Sequence, residues 1–257
     1  MSHGDVGSAT WAKGETAWRL FELGRWDEVI EVADELAKWE EEHGQAQPGV
    51  ISGIEKMHVL THRGSHEEAA RLEEGLLPRA REISDPQVLW QALVVASVAH
   101  LGRGARDGAR SMVEELVEVT VGQSAGGFYL IPEGLRVMMA LGEVEMARRL
   151  VDEAVVAIPT VITRQVVVRA ALAEADGNPE AAVEGYREAA AAWKRGGFVF
   201  EQANALLGAG RCLLSLGNAG EASRELSSAR ELFASLRAEP LLRECDDLLG
   251  EATALTS

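Results

Sequence analysis

The sequence predicts an all-α solenoid of about six helix-turn-helix repeats followed by a C-terminal capping helix. Three observations lead there. A glycine closes an apolar run at positions 24, 64, 102, 142, 177 and 217, at intervals of 40, 38, 40, 35 and 40 residues. Five residues after the glycine comes a small residue: Ala69, Ala147, Ala182 and Ala222. The third unit keeps this offset, with Ala109, when its longer turn is counted from Gly104, and Val29 takes the place in the first unit. Around each glycine the apolar residues recur every three or four positions, which is the period of a helix and not of a strand.

The physical content of the pattern is simple. Glycine reaches the left-handed conformation that ends a helix without a Cβ penalty. A small residue lets the following helix approach the preceding one closely. Each unit is therefore two antiparallel helices joined by a tight turn, and a pair that cannot bury its apolar faces alone completes its core against its neighbours. The units fall at about 8–43, 48–84, 86–122, 127–158, 160–196 and 198–237, with the capping helix at 240–255, in one repeat domain over 1–257.

The elements follow in order. Four of the six tryptophans, Trp11, Trp18, Trp26 and Trp39, lie in the first unit, where they form either buried core or a contact surface. The β-branched run at 159–168 is the one stretch with strand character, and its place in the register ahead of Gly177 makes it helix. The last unit is the plainest. Leu206, Leu207, Leu213, Leu214 and Leu216 precede Gly217, and Ala222, Leu226, Ala229, Leu232 and Phe233 follow it. In the final helix Leu241, Leu242, Cys245, Leu248, Leu249 and Ala252 form a stripe facing the stack. Arg243, Glu244, Asp246, Asp247 and Glu251 face water.

The triplets Gly142/Ala147/Ala154, Gly177/Ala182/Ala189 and Gly217/Ala222/Ala229 resemble the tetratricopeptide repeat, which has a turn glycine, an alanine five later and a second small residue seven beyond that. The first two units depart from it, with Leu36 and Leu76 at the last position, and the interval is nearer 40 than the roughly 34 of the common form. The stretches Phe200–Gly217 and Ala229–Pro240 resemble the C-terminal, MalT-like repeats of bacterial LuxR-type regulators and ATPase-linked class III adenylate cyclases. The resemblance implies a right-handed superhelical solenoid with an upstream ATPase, cyclase or DNA-binding module elsewhere. The abrupt N-terminus fits excision from such a longer polypeptide.

Composition narrows the partners. With 25 basic and 41 acidic residues the net charge is −16, which argues against nucleic acid and anionic membrane, since both call for clustered Lys and Arg. An apolar fraction of 47% is that of a folded chain. Two cysteines, Cys212 and Cys245, with no CxxC, fit a reducing cytoplasm. There is no secretory leader pattern, and no apolar run nears the ~18 residues of a spanning helix.

Chemistry is absent from the motifs. No GxxxxGK occurs, and Gly102, Gly104 and Gly108 have the wrong spacing for a dinucleotide loop. His58 and His62 stand one helical turn apart with His66 near, but HExxH is missing and no third ligand is fixed by spacing. The carboxylates are scattered. The expectation is no enzyme, no cofactor and no metal.

In the resembled family the first helix of each pair lines the concave face. Taking the residues 13, 10, 6, 3 and 2 before each glycine gives thirty positions. They include Trp11, Trp18, Phe21, Ile51, Ile54, His58, His62, Leu89, His100, Tyr129, Arg136, Met139, Arg164, Val167, Asn204, Leu207 and Arg211. Three are arginine and two are acidic, Glu22 and Glu174, so the groove is near neutral on a strongly acidic protein. Trp18, Phe21, His58, His62, His100, Tyr129, Arg136, Met139, Arg164 and Arg211 are the candidate contact residues. The arginines would grip partner carboxylates or, alternatively, pair with local glutamates at i±4.

The function expected is a non-catalytic protein-interaction or regulatory scaffold from a bacterial signalling or transcription-regulatory protein. The partner is a protein or peptide, and the tryptophan-rich N-terminal end is a candidate for self-association. The alternative is a small-molecule or peptide effector-sensing module that controls an upstream ATPase or cyclase.

Overall fold

A computed structural model of the chain describes residues 3–44, 46–83, 85–120, 131–153 and 159–256, with side chains at 12–44, 46–83, 85–120, 132–151 and 163–256. Thirteen helices and no strand occur among the described residues. They are α1 (His3–Glu22), α2 (Trp26–His43), α3 (Gln47–His62), α4 (His66–Glu82), α5 (Pro86–Gly102), α6 (Arg106–Thr120), α7 (Ile131–Leu141), α8 (Val144–Glu153), α9 (Pro159–Ala175), α10 (Pro179–Gly196), α11 (Val199–Ser215), α12 (Ala219–Leu236) and α13 (Glu239–Ala254). The β-branched run at 159–168 is helical, and α13 begins and ends within one residue of the expected capping helix. None of the described helices is long and apolar enough to cross a membrane.

The recurring glycines do what the pattern requires. Gly64 has φ +79°, its N–H donates to Thr61 O at 3.0 Å, and the next N–H, of Ser65, reaches back to Leu60 O at 2.9 Å. This pair of bonds satisfies the last carbonyls of a helix and turns the chain. The same two bonds recur at Gly24, Gly142, Gly177 and Gly217. In the third unit the turn residue is Gly104 and not Gly102. Gly102 is the last residue of α5, and Gly104, with φ +78°, makes the Leu101 bond.

The small residues five positions on, Ala69, Ala109, Ala147, Ala182 and Ala222, are all fully buried, as is Val29. Ala189 and Ala229, seven beyond, are fully buried too, and Ala154 lies outside the described residues. Helix starts are built locally. Asp85 caps α5 by accepting from Gln87 N at 3.0 Å, and Asn178 caps α10 by accepting from Ala181 N, with Pro86 and Pro179 in the first turns.

The chain packs into two compact units, Met1–Leu116 and Val117–Ser257. In the first, α1, α3 and α5 lie side by side, with α2 and α4 packed between successive members of that row. In the second, α7, α9, α11 and α13 form the row, and α8, α10 and α12 fill the same role. The first unit buries Trp26, Ile54, Met57 and Leu93. The second buries Leu135, Met138, Phe200, Leu226 and Phe233.

Candidate functional site

The first-helix rows carry the candidate residues, and the two units treat them differently. In the first unit Phe21 of α1 stacks on His58 of α3, with ring centroids 4.0 Å apart and planes 11° from parallel. Trp26 stacks on Phe21 at 5.2 Å and donates its indole N–H to Phe21 O at 3.1 Å. His62 lies 5.0 Å from the His58 ring and 6.0 Å from Trp26. Beneath this aromatic cluster is Glu55, fully buried. One of its oxygens lies 3.5 Å from His58 Nδ1, and the other accepts from the Gln91 amide of α5. Phe21, His58 and His62 are thus packed between α1 and α3, and Trp18 is half-buried. His100 of α5 is turned toward the preceding helix pair: its Nε2 lies 2.7 Å from Glu73 of α4, which also accepts from Arg103 at 2.9 Å.

In the second unit the row carries guanidinium–carboxylate pairs at half-exposed positions. Arg136 of α7 donates through both terminal nitrogens to Glu201 of α11, at 3.0 and 2.9 Å, and sits 5.6 Å over the Phe200 ring. Arg211 of α11 donates from Nε and one terminal nitrogen to Glu174 of α9, at 2.6 and 3.0 Å, and reaches Glu244 of α13 at 3.4 Å. The Tyr186 hydroxyl of α10 donates to Glu174 at 2.8 Å. Gly208 makes room for that tyrosine, since a Cβ there would stand 2.7 Å from Tyr186 Cζ. Arg164 is buried, its guanidinium 5.5 Å over the Trp193 ring. Met139 is half-buried, and Tyr129 lies outside the described residues.

Arg136 and Arg211 therefore pair within the chain, and Glu133, one turn before Arg136, adds to the charge around it. Their partners are 65 and 37 residues distant, on other hairpins. The helical period looks only along one helix, while a stacked row lines up residues one or two units apart.

The electrostatics follow from this pairing. Burial opposes the charge on Arg136 and Arg211, and the glutamates beside them more than offset it, so both guanidinium groups stay above their ordinary value. Burial alone would raise Glu174, but the hydrogen bonds from Arg211 and Tyr186 pull it below the usual carboxylate range. Tyr186 is driven up by burial and by Glu174. Burial, with Glu174 for Cys212 and Glu244 for Cys245, pushes both thiols up to about 12.

Glu55, Gln91, Glu201 and Glu244 were not among the sequence candidates. Glu55 had a signal, since Ile51, Ile54, His58 and Val59 surround it at helical spacing. Glu201 and Glu244 had none, because their partners are fixed only by the stacking.

No protein family and no curated protein matches the chain. Among solved structures it is similar to a Rap protein complexed with Competence and Sporulation Factor. The TM-score is 0.62 at 12% sequence identity, over 96% of this chain and 77% of that one. The TPR2AB domain of yeast Sti1, in its pHSP90 complex, overlaps at a TM-score of 0.36 and 15% identity, over 97% of this chain and 99% of that one, too low to carry a fold relation. The fold is that of a helical-repeat protein of the tetratricopeptide type.

Proposed function

We propose that the chain is a non-catalytic interaction scaffold forming one repeat domain, whose first-helix row presents a face to a protein or peptide partner. The observation that carries this reading is the row itself. Within each unit the first helices lie side by side and bring residues from successive hairpins onto one surface, with Trp18, His100, Arg136, Met139 and Arg211 half-buried along it. Extended faces of this kind are what stacked repeats offer a ligand. The Rap structure supports it by analogy, as a fold relative determined together with a bound factor.

The finer placement is part of the same proposal. The resemblance of Phe200–Gly217 and Ala229–Pro240 to MalT-like repeats supports a cytoplasmic bacterial signalling or transcription-regulatory protein, of the LuxR type or cyclase-linked. Self-association through the tryptophan-rich first helices is a further element, tested by sedimentation over a concentration series. A strictly monomeric species removes it.

The test of the face uses cross-linking to identify a partner, then titration with purified variants. Trp18→Ala and Met139→Ala are expected to weaken binding at least tenfold in one case or the other, as central aromatic and apolar contacts do. Arg187→Ala, on the second-helix side, is expected to change nothing. Partner binding unaltered in both row variants contradicts the assignment.

A further inference from the structure

Three polar side chains of α3 share one stripe and are closed off from water. Glu55, His58 and His62 stand at i, i+3 and i+7, which at about 100° per residue places them within about 60° of one direction. Glu55 and His58 are fully buried, and His62 is 8% exposed. The two imidazole rings lie 5.0 Å apart, tilted by 48°. Aromatic rings wall them: Phe21 stacks on His58, and Trp26 lies 6.0 Å from His62. Glu55 stands behind His58. One of its oxygens is 3.5 Å from His58 Nδ1, and the other is held by the Gln91 amide. An apolar side chain would fill any of these positions with no polar atom to satisfy, so two imidazoles and a carboxylate gathered there call for a chemical reason.

We propose that His58 and His62 are ligands of one zinc-class transition-metal ion, with Glu55 as the carboxylate that orients His58. Imidazoles one helical turn apart on one face are the pair that holds zinc in helical metal sites. A ligating imidazole characteristically gives its other ring N–H to a carboxylate, which fixes the tautomer and raises the basicity of the ligand. Glu55 stands at Nδ1, so the lone pair of His58 is on Nε2, and Nε2 is the ligating atom. Gln91 of α5 in turn fixes Glu55. Nitrogen donors select zinc, copper or nickel over calcium and magnesium, which take oxygen. Water completes the coordination from the His62 side, where the cluster reaches the surface. Spacing along the sequence left the histidine pair without support; the packing of Glu55 against His58 supplies it. Both rings are packed between α1 and α3, so this site is independent of the partner face of the preceding section and goes beyond that reading.

The experiment titrates the full chain, untagged and stripped with a chelator, with zinc by calorimetry and with cobalt by its visible absorption. One equivalent of each is expected to bind, and zinc is expected to raise the urea midpoint of the parent. His62→Gln is expected to weaken zinc at least tenfold and to remove that rise. Glu55→Gln, which keeps the volume and an acceptor oxygen beside Gln91, is expected to weaken zinc about tenfold through His58. His43→Ala and His66→Ala, at histidines outside the cluster, are expected to leave binding unchanged. Nitrogen-detected imidazole spectra of the unaltered chain give a reading that depends on no variant: zinc should shift two of the six histidines and leave four. Failure of zinc to bind or to raise the urea midpoint overturns the proposal. So does binding that survives His62→Gln or that falls with His43→Ala or His66→Ala, which marks capture by scattered surface groups.

Discussion

The two units build the same row of first helices and fill it with different polar pairings. In the first, Glu55 and His58 are fully buried and Gln91 is 5% exposed, while His100 is half-buried. In the second, Arg136 and Arg211 stand at half-exposed positions and are matched by Glu201 and by Glu174 with Glu244. The turn bonds and buried alanines are common to both. The repeat therefore specifies the backbone and the helix-to-helix approach and leaves the row residues unconstrained. In a water-excluded row each polar group must find a partner at once. In a half-exposed row the solvent shares the load, and ion pairs form without deciding the fold.

This contrast has a large consequence for truncation. Glu55→Ala removes the acceptor for Gln91 in a buried site and is expected to cost about 3 kcal/mol, read as a fall in the urea midpoint. Glu174→Ala leaves Arg211 with solvent and Glu244 but strips the buried Tyr186 hydroxyl of its acceptor, and is expected to cost about 2 kcal/mol. Equal losses would break the distinction between the units.

Titration sharpens the second half. Glu174 is held below the usual carboxylate range, so its folded form binds protons less readily than its unfolded form. The stability it contributes is fully present above its ordinary value of 4.5 and is lost as the pH falls through its lower folded value. Acid unfolding of Glu174→Gln should accordingly be less steep over that range than that of the parent.

The thiols give a smaller effect on the same unit. With Cys212 and Cys245 buried and both pushed up to about 12, neither is a thiolate near neutral pH. A colourimetric thiol reagent at pH 8 is expected to find neither in the folded chain and both in denaturant. Fast labelling of either would show that the core around α11 and α13 opens readily.

The smallest effect has the opposite sign and is the same in both units. Gly75 in α4 and Gly250 in α13 are helical positions where an added Cβ meets nothing within 4 Å. Each change to alanine is expected to stabilise by about 0.5–1 kcal/mol. Gly64→Ala, at φ +79°, is expected to destabilise.

Much of the fold is legible in the sequence because its determinants are local. A glycine, a small residue five later and an apolar period of three to four are all read within one hairpin. The exception is instructive: in the third unit Gly102 and Gly104 both sit near the turn, and only the bond from Gly104 to Leu101 decides between them. The row chemistry is legible only in part. Arg136 and Arg211 are found by counting back from the turns, but Glu201 and Glu244 become their partners through the stacking of separate hairpins, which no single-helix period encodes. His58 and Phe21 are counted at face positions, yet a parallel stack 4.0 Å apart puts them inside. The count gives a direction around the helix and not the distance to the neighbouring helix.

The central claim is that the first-helix row, and not the second helices, meets the partner. Hydrogen–deuterium exchange with and without a cross-linked or titrated partner tests it directly. The account predicts added protection in α7, α9 and α11, with α8, α10 and α12 unchanged. Protection concentrated in α8, α10 and α12 would contradict it.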